Sequence, residues 1–269
     1  MDPEFHQAIA AIVTGDLNVL RSVIAADPGL PARRSSCGHP TLLQMVAVEA
    51  ANLPDVLGAA RVLVDAGAPL GEPLVATASV DSREVLLFLL DRGIDVDGDA
   101  PWTPLDEATY WCHLELAQIL VERGATIGSL RVAAGLGRMD AVRAFFDDGR
   151  LRSDAGPILS QFPDTIPDGR DNDPADVVDN AFVMAAGNGW QNVAAFLHDR
   201  CARVNAIPPG FHWKGTALHA AVWRGHRSIV EWLLSIGADP TIRDDLVGSD
   251  AAGWARHHGH HGLAALLAS

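Results

Sequence analysis

The chain has few basic residues for its length. Lys and Arg together number 20 among 269 residues, against 34 Asp and Glu, so the formal net charge is −14 at pH 7. Nucleic-acid binding needs a clustered basic surface that contacts phosphates. The composition therefore argues against a nucleic-acid partner and favours a protein partner with a neutral or basic epitope.

Cysteine is also scarce. The three cysteines, Cys37, Cys112 and Cys201, are far apart and odd in number, so they predict neither a disulfide framework nor a CxxC metal pair. Such usage is typical of a reducing compartment, and we expect a cytoplasmic protein.

No hydrophobic run is long enough for a membrane span, which needs roughly 18 apolar residues. The strongest run, residues 85–90, lies between the charged residues Glu84 and Asp91, so no membrane role is expected. Residues 1–5 have neither the basic nor the apolar region of a signal peptide. They are interpreted as a cloning remnant, which leaves residues 6–269 as the folded chain.

Catalytic signatures are missing as well. The sequence has no nucleophile elbow, Walker loop, dinucleotide-binding fingerprint or zinc-protease helix. The densest histidine group is His257, His258, His260 and His261. His257 and His261 have the spacing of a helical zinc site, but Gly259 falls at a turn and interrupts the helix face that such a site needs. We therefore predict no catalytic residue, no metal and no cofactor.

What the sequence does contain is an internal repeat. Residues 103–125 and 216–238 align without a gap. In each segment a threonine, Thr103 or Thr216, can cap a first helix, and a glycine ends the second helix as a left-handed cap. Gly225 permits the tight reversal between the two helices. Each segment is therefore predicted to form two antiparallel helices.

The second copy carries a recognisable motif, Thr216-Ala-Leu-His219 followed by Gly225-His226, Leu233-Leu234 and Gly237. In these residues the chain resembles the ankyrin-repeat family. The order of the units and their short links resemble a bacterial subgroup of stand-alone ankyrin proteins. The resemblance implies an all-α solenoid of about eight helix pairs, in a single domain over residues 6–269. The pairs are predicted at about residues 6–27, 40–67, 73–93, 103–124, 128–149, 176–201, 215–237 and 249–268.

Residues 150–173 interrupt the repeats. Proline, glycine and aspartate oppose a regular element over most of this segment, which also contains Ile158, Leu159, Phe162 and Ile166. A solvated linker gains nothing from four large apolar groups. The segment is therefore predicted to be an inserted loop that packs back as a lid, with a disordered linker as the alternative.

Tryptophan is unusually frequent, with seven Trp against one Tyr. The resemblance implies that partners bind along a concave groove, at the β-turn tips and at the exposed end of each first helix. Trp, Tyr and Arg dominate binding hot spots. The candidate partner-binding residues at these positions are Trp102, Tyr110, Trp111, His212, Trp213, Trp223, Arg224, His257 and His258. Trp232 and Trp254 lie within predicted helices and are expected to pack in the core, and the resemblance implies a structural role for His219.

These features predict a non-catalytic binding module that recognises a partner protein through an aromatic groove. The alternative is a small-molecule-binding protein or an unusual enzyme, in which the groove and the 150–173 loop enclose a small apolar ligand. A closed pocket holding Trp111, Trp213 and Trp223 would favour the alternative, whereas an open groove would favour the binding module.

Overall fold

The computed structural model describes residues 3–36, 41–99 and 101–268. In these ranges the chain forms sixteen α-helices and one two-stranded hairpin, and the helices follow one another as eight antiparallel pairs. The all-α repeat fold and the eight predicted pairs are thus confirmed. Cys37, and Pro40 at the start of the second predicted pair, lie outside the described residues.

The chain divides into two compact units, Met1–Thr126 (unit 1) and Ile127–Ser269 (unit 2). Each unit contains four of the helix pairs. The single-domain organisation over residues 6–269 stays a prediction.

Unit 1 is a stack in which first helices pack on first helices and second helices on second helices. Its helices are α1 (His6–Thr14), α2 (Leu17–Ala26), α3 (Leu42–Val48), α4 (Val56–Asp65), α5 (Gly71–Ser79), α6 (Arg83–Leu90), α7 (Pro104–Trp111) and α8 (Leu114–Glu122). Helix α5 packs between α3 and α7, and α4 packs between α2 and α6. Leu43, Leu74 and Leu105 are fully buried where the first helices meet, so each pair buries its apolar face only against its neighbours.

Unit 2 repeats the packing of first helices on first helices. Its helices are α9 (Leu130–Gly135), α10 (Met139–Ala144), α11 (Pro174–Gly187), α12 (Gln191–His198), α13 (Ala217–Trp223), α14 (Arg227–Ser235), α15 (Ala251–His257) and α16 (His261–Leu267). Helix α11 packs against α9 and α13, and α13 packs against α15. The strands β1 (Phe146–Asp147) and β2 (Arg150–Leu151) form an antiparallel hairpin with Phe146 opposite Leu151.

The tight turns inside the pairs α7–α8 and α13–α14 each use a left-handed residue. Gly225 has φ 74° and Cys112 has φ 65° at equivalent positions. Glycine adopts this conformation without steric cost, and Cys112 is a small residue tolerated in its place.

The residue after the turn links one pair to the previous one. The ring Nε2 of His226 donates to the carbonyl of Gly187 at 3.1 Å, and that of His260 donates to the carbonyl of Trp223 at 3.1 Å. In unit 1, His113 makes the same bond to Ser79 at 3.1 Å. These bonds satisfy carbonyls at the ends of first helices, which otherwise lack an intrahelical partner, so the glycine-histidine motif is a structural link.

The 150–173 segment folds back on unit 2, as its apolar residues predicted. Ile158 is buried, and its amide donates to the carbonyl of Asp171 at 2.7 Å. The amide of Gly210 donates to the carbonyl of Thr165 at 3.1 Å, which joins the loop to the turn that precedes α13.

An ion-pair network fixes the end of this loop to α11. Arg170 donates to both carboxylate oxygens of Asp176 at 2.6 Å. Arg203 donates to Asp176 at 2.8 Å and to Asp179 at 2.6 Å. Both carboxylates are buried, and buried charges need such partners.

Candidate functional site

Three tryptophans of unit 2 form an aromatic cluster, called the Trp cluster below: Trp213, Trp223 and Trp254. Trp213 lies in the turn before α13, Trp223 is the last residue of α13, and Trp254 lies in α15. The ring centroids are 6.1 Å apart for Trp213 and Trp223, 5.9 Å for Trp213 and Trp254, and 6.0 Å for Trp223 and Trp254. All three pairs are edge-to-face, the geometry that aromatic quadrupoles favour.

The three rings differ in exposure. Trp213 is only 5% exposed and Trp254 8%, whereas Trp223 is half-buried. The exposed orientation expected for Trp213 is thus not found. Its ring turns inward, where it contacts the Phe211 ring at a centroid distance of 4.7 Å as well as the other two tryptophans. Trp254 is packed, as expected.

Asp244 anchors the Trp cluster to the turn before α15. Its carboxylate accepts a hydrogen bond from the indole Nε1 of Trp254 at 3.0 Å and from the backbone amide of Ser249 at 2.8 Å. It also accepts the amides of Leu246 at 2.9 Å and Val247 at 2.6 Å. Burial raises the pKa of Asp244, but these four hydrogen bonds to the ionised form together outweigh it and hold the pKa below its ordinary value.

The same turn presents two apolar side chains that the sequence reasoning missed. Leu246 is 55% exposed and Val247 72% exposed. They lie at a β-turn tip, one of the places where the resemblance implies partner contacts. Two adjacent apolar residues in a turn could have identified this contact position from the sequence, because turns otherwise favour polar residues and glycine.

Arg224 and two histidines lie beside the half-buried ring of Trp223. The guanidinium of Arg224 lies 4.3 Å from the centroid of the Trp223 ring, within the range of a cation–π contact. The ring of His258 lies 5.9 Å from both Trp223 and Trp254, and the ring of His257 lies 4.9 Å from His258. We call Trp223, Arg224, His257 and His258 the aromatic–cationic surface.

The two exposed histidines of this surface stand in a cationic environment. Partial burial lowers the pKa of His258, and the nearby His257, His260 and Arg224 lower it further. Both effects disfavour the charged imidazole. His258 is therefore neutral in the isolated chain at neutral pH.

His212 lies beneath the 150–173 loop. Its ring is 4.9 Å from that of Phe162, and burial lowers its pKa. The loop therefore covers this predicted contact residue in part and holds the turn that carries Trp213.

The predicted residues of unit 1 form a second cluster around a buried carboxylate. Glu107 is 2% exposed and accepts hydrogen bonds from the indoles of Trp102 and Trp111, the latter at 2.8 Å. The Tyr110 ring lies 5.7 Å from Trp102 and 5.3 Å from Trp111. Trp102 and Tyr110 are 9% and 5% exposed, against the expectation of surface rings, because Glu107 draws the indole of Trp102 inward. Trp111 is half-buried.

The polar residues at the starts of the first helices are structural. The Nδ1 of His219 accepts from the amide of Thr216 at 3.2 Å and from its hydroxyl at 2.9 Å, and the Nε2 donates to the carbonyl of Ser249 at 3.2 Å. Burial lowers the pKa of His219, which keeps the ring neutral. In unit 1, Asp106 accepts the amide of Thr103 at 3.1 Å and its hydroxyl at 2.8 Å. Both are reciprocal caps.

Among residues 3–36, 41–99 and 101–268, no group of three or more His, Cys, Asp or Glu side chains could hold a metal ion. Over the same part of the chain, no helix is both long and apolar enough to cross a membrane.

Comparison with known proteins identifies the repeats. The family model for ankyrin repeats matches residues 130–244 in three copies, a region that includes Trp213, Trp223 and Arg224. No curated protein matches the chain. Ankyrin repeats generally act as protein–protein interaction modules. Residues 130–244 therefore contain ankyrin repeats, and this match supports an ankyrin-repeat protein.

Proposed function

We propose that the chain is a non-catalytic binding module, and that in unit 2 a partner protein binds the aromatic–cationic surface. The observation that carries this proposal is the setting of Trp223. Its half-buried ring is backed by the nearly buried Trp213 and Trp254 and is covered on one side by Arg224. A ring held in this way loses little conformational freedom when a partner covers it, which favours tight binding.

The position of the surface in the repeats supports the same proposal. Trp223 and His257 are the last residues of α13 and α15, and Arg224 and His258 follow them as C-caps. Because α13 and α15 are neighbouring first helices, one extended partner segment can contact both ends. Leu246 and Val247 add an exposed apolar tip between the two pairs. We propose that Trp213 supports this surface from within, because its side chain is only 5% exposed.

The second cluster is proposed as an additional contact region in unit 1. Trp111 is its most exposed ring, and the hydrogen bond to Glu107 fixes the indole. Trp102 and Tyr110 are proposed to support it from below.

The small-ligand alternative receives less support. The rings of Trp213, Trp223 and Trp254 contact one another at centroid distances near 6 Å, so they fill the space between them. One concavity of unit 2 is lined by residues 147, 148 and 150–154 and has no tryptophan in its lining. The 150–173 loop contacts His212 through Phe162, and this contact supports the turn that carries Trp213. These observations favour an open protein-binding surface.

Alanine variants of the surface test this proposal. The partner is first isolated from native cell extract with the chain as bait and is then purified for titration. Trp223→Ala is expected to weaken its binding more than tenfold, which corresponds to about 1.4 kcal/mol or more. Arg224→Ala is expected to weaken it severalfold.

Arg152→Ala is the matched control, because Arg152 pairs with Asp154 at 2.6 Å just after the β1–β2 hairpin and lies outside the aromatic–cationic surface. It is expected to bind as the unchanged chain does. Thermal unfolding of each variant separates lost contacts from lost structure. If Trp223→Ala and Arg224→Ala both bind normally, the partner contacts another surface.

A further inference from the structure

The charge around the aromatic–cationic surface is opposite to that of the chain. The chain has 34 Asp and Glu, yet residues 214–230 and residues 251–269 contain none. These two segments include the ends of α13 and α15 that form the surface. These two helix ends are therefore locally basic in a chain whose formal net charge is −14, whereas the turn between them contains Asp239, Asp244, Asp245 and Asp250.

The side chains next to His258 define this local charge. Helix α13 contributes Arg224, helix α15 contributes His257, and the residue before α16 contributes His260. All three carry positive charge when protonated. Arg256, exposed in the last turn of α15, adds a further cation to the same helix end.

From these observations we propose that the aromatic–cationic surface binds an acidic segment of its partner, with Asp or Glu carboxylates beside an apolar or aromatic side chain. This inference rests on the proposed function and names the chemistry of the partner. Arg224 places a positive charge 4.3 Å from the centroid of the Trp223 ring, which attracts a carboxylate, and the exposed part of Trp223 provides apolar contact area. The proposed epitope replaces the neutral or basic one that the net charge alone favours.

A short acidic segment fits better than a long polyanion. Electrostatic interactions in physiological salt fall off over about 8 Å, so a segment confined to the surface meets mainly its local cations. A nucleic acid or a large acidic surface would also approach the acidic remainder of the chain and be repelled.

Binding of this kind depends on pH through the histidines. In the isolated chain, partial burial and the nearby His257, His260 and Arg224 lower the pKa of His258, so its ring is neutral at pH 7. A carboxylate placed beside the ring favours its charged form and raises its pKa. Because the complex then binds more protons than the separate molecules do, affinity rises as the pH falls through the raised pKa of His258 in the complex and levels off below its lower pKa in the free chain. Partner carboxylates stay ionised down to about pH 5.

Three synthetic peptides test the proposal directly. Each repeats a four-residue unit three times: Gly-Glu-Phe-Glu, Gly-Gln-Phe-Gln or Gly-Lys-Phe-Lys. They share length and aromatic content and differ in charge. Titration calorimetry with the full chain is expected to give at least about tenfold tighter binding for the acidic peptide than for the neutral one, and the weakest binding for the basic one.

Charge-reversal variants then test whether the acidic peptide binds at the aromatic–cationic surface. Arg224→Glu is expected to weaken the acidic peptide at least about tenfold, whereas Arg152→Glu, with the same change in net charge, is expected to leave its affinity nearly unchanged. His258→Ala is expected to remove most of the tightening between about pH 7 and pH 6. Circular dichroism at each pH verifies that the variants remain folded.

The outcomes separate the two proposals. If the acidic peptide fails to bind, binds no better than the others, or is weakened equally by Arg152→Glu, the acidic-epitope proposal is wrong. If the neutral peptide binds best and Trp223→Ala abolishes its binding, the proposed binding surface stands and only the acidic-epitope proposal is wrong. If peptide binding is the same with and without the Trp223 ring, the proposed surface itself is wrong.

Discussion

Trp213→Ala is expected to lower the free energy of unfolding by about 3–5 kcal/mol, the range for large aromatic residues removed from a core. Trp213 is 5% exposed and contacts three other aromatic rings, those of Phe211, Trp223 and Trp254. Its loss leaves a cavity at the centre of these contacts. Urea unfolding followed by far-UV circular dichroism measures the effect.

Trp223→Ala is the matched comparison, because it removes the same side chain from the same cluster. The Trp223 ring is half-buried, so less apolar surface returns to water when it is removed, and the expected loss is smaller. If Trp223→Ala destabilises the chain as much as Trp213→Ala does, the division of the Trp cluster into a support and a contact ring is incorrect.

Asp244→Asn is expected to cost about 2–4 kcal/mol of stability at neutral pH, since hydrogen bonds to charged groups are strong and buried donors are left poorly satisfied. The carboxylate accepts four hydrogen bonds, from three backbone amides and the Trp254 indole. An amide side chain has a single acceptor oxygen and directs its NH2 group toward donors. The substitution is therefore expected to weaken both the turn at 244–249 and the hydrogen bond that holds the Trp254 indole.

The sign of the pH dependence follows from the depressed pKa of Asp244. Its stabilising contribution is complete above the unfolded-state pKa of about 3.9 and is lost as the pH falls through the lower folded-state value. At neutral pH the full effect of the substitution is therefore measured.

Asp245→Asn is the neighbouring control. Its side chain is exposed, and the residue is joined to the turn at Lys214 through its backbone amide. The same change in charge and shape is expected to alter stability by less than about 0.5 kcal/mol. Equal losses for the two variants in chemical unfolding would mean that Asp244 has no special role.

The helix pairs could be predicted because their signals are local and periodic. Thr103 and Thr216 each precede a first helix, and Gly225 and Gly237 mark the turn and the end of the second helix. Caps and left-handed turns depend on residues within a few positions of one another. A single sequence therefore defines these elements.

The direction of individual rings could not be predicted in the same way. Trp213 turns inward because it meets Trp254, a residue 41 positions further along the chain, whose own indole is held by Asp244. Leu233 is buried but the adjacent Leu234 is half-buried, since neighbouring residues on a helix point in different directions. Whether such a side chain points inward or outward depends on the packing of the next repeat, which a repeat motif does not encode.

The 150–173 loop shows both what a single sequence can predict and what it cannot. Its apolar residues predicted packing, and Ile158 is buried. The ion pair between Arg170 and Asp176 was not foreseen, because a charged residue in a proline- and aspartate-rich segment gives no sign of its partner.

Hydroxyl-radical footprinting of the chain with and without its purified partner tests the central claim most directly. The reaction oxidises accessible tryptophan and histidine side chains, and mass spectrometry measures each residue separately. Trp232 is the internal control: it is half-buried like Trp223, but it packs against Phe182 and His198, away from the proposed contacts. We expect the partner to protect Trp223, His257 and His258 and to leave Trp232 unchanged. Equal oxidation of Trp223 in the free and bound chain would contradict the assignment of the aromatic–cationic surface as the binding site.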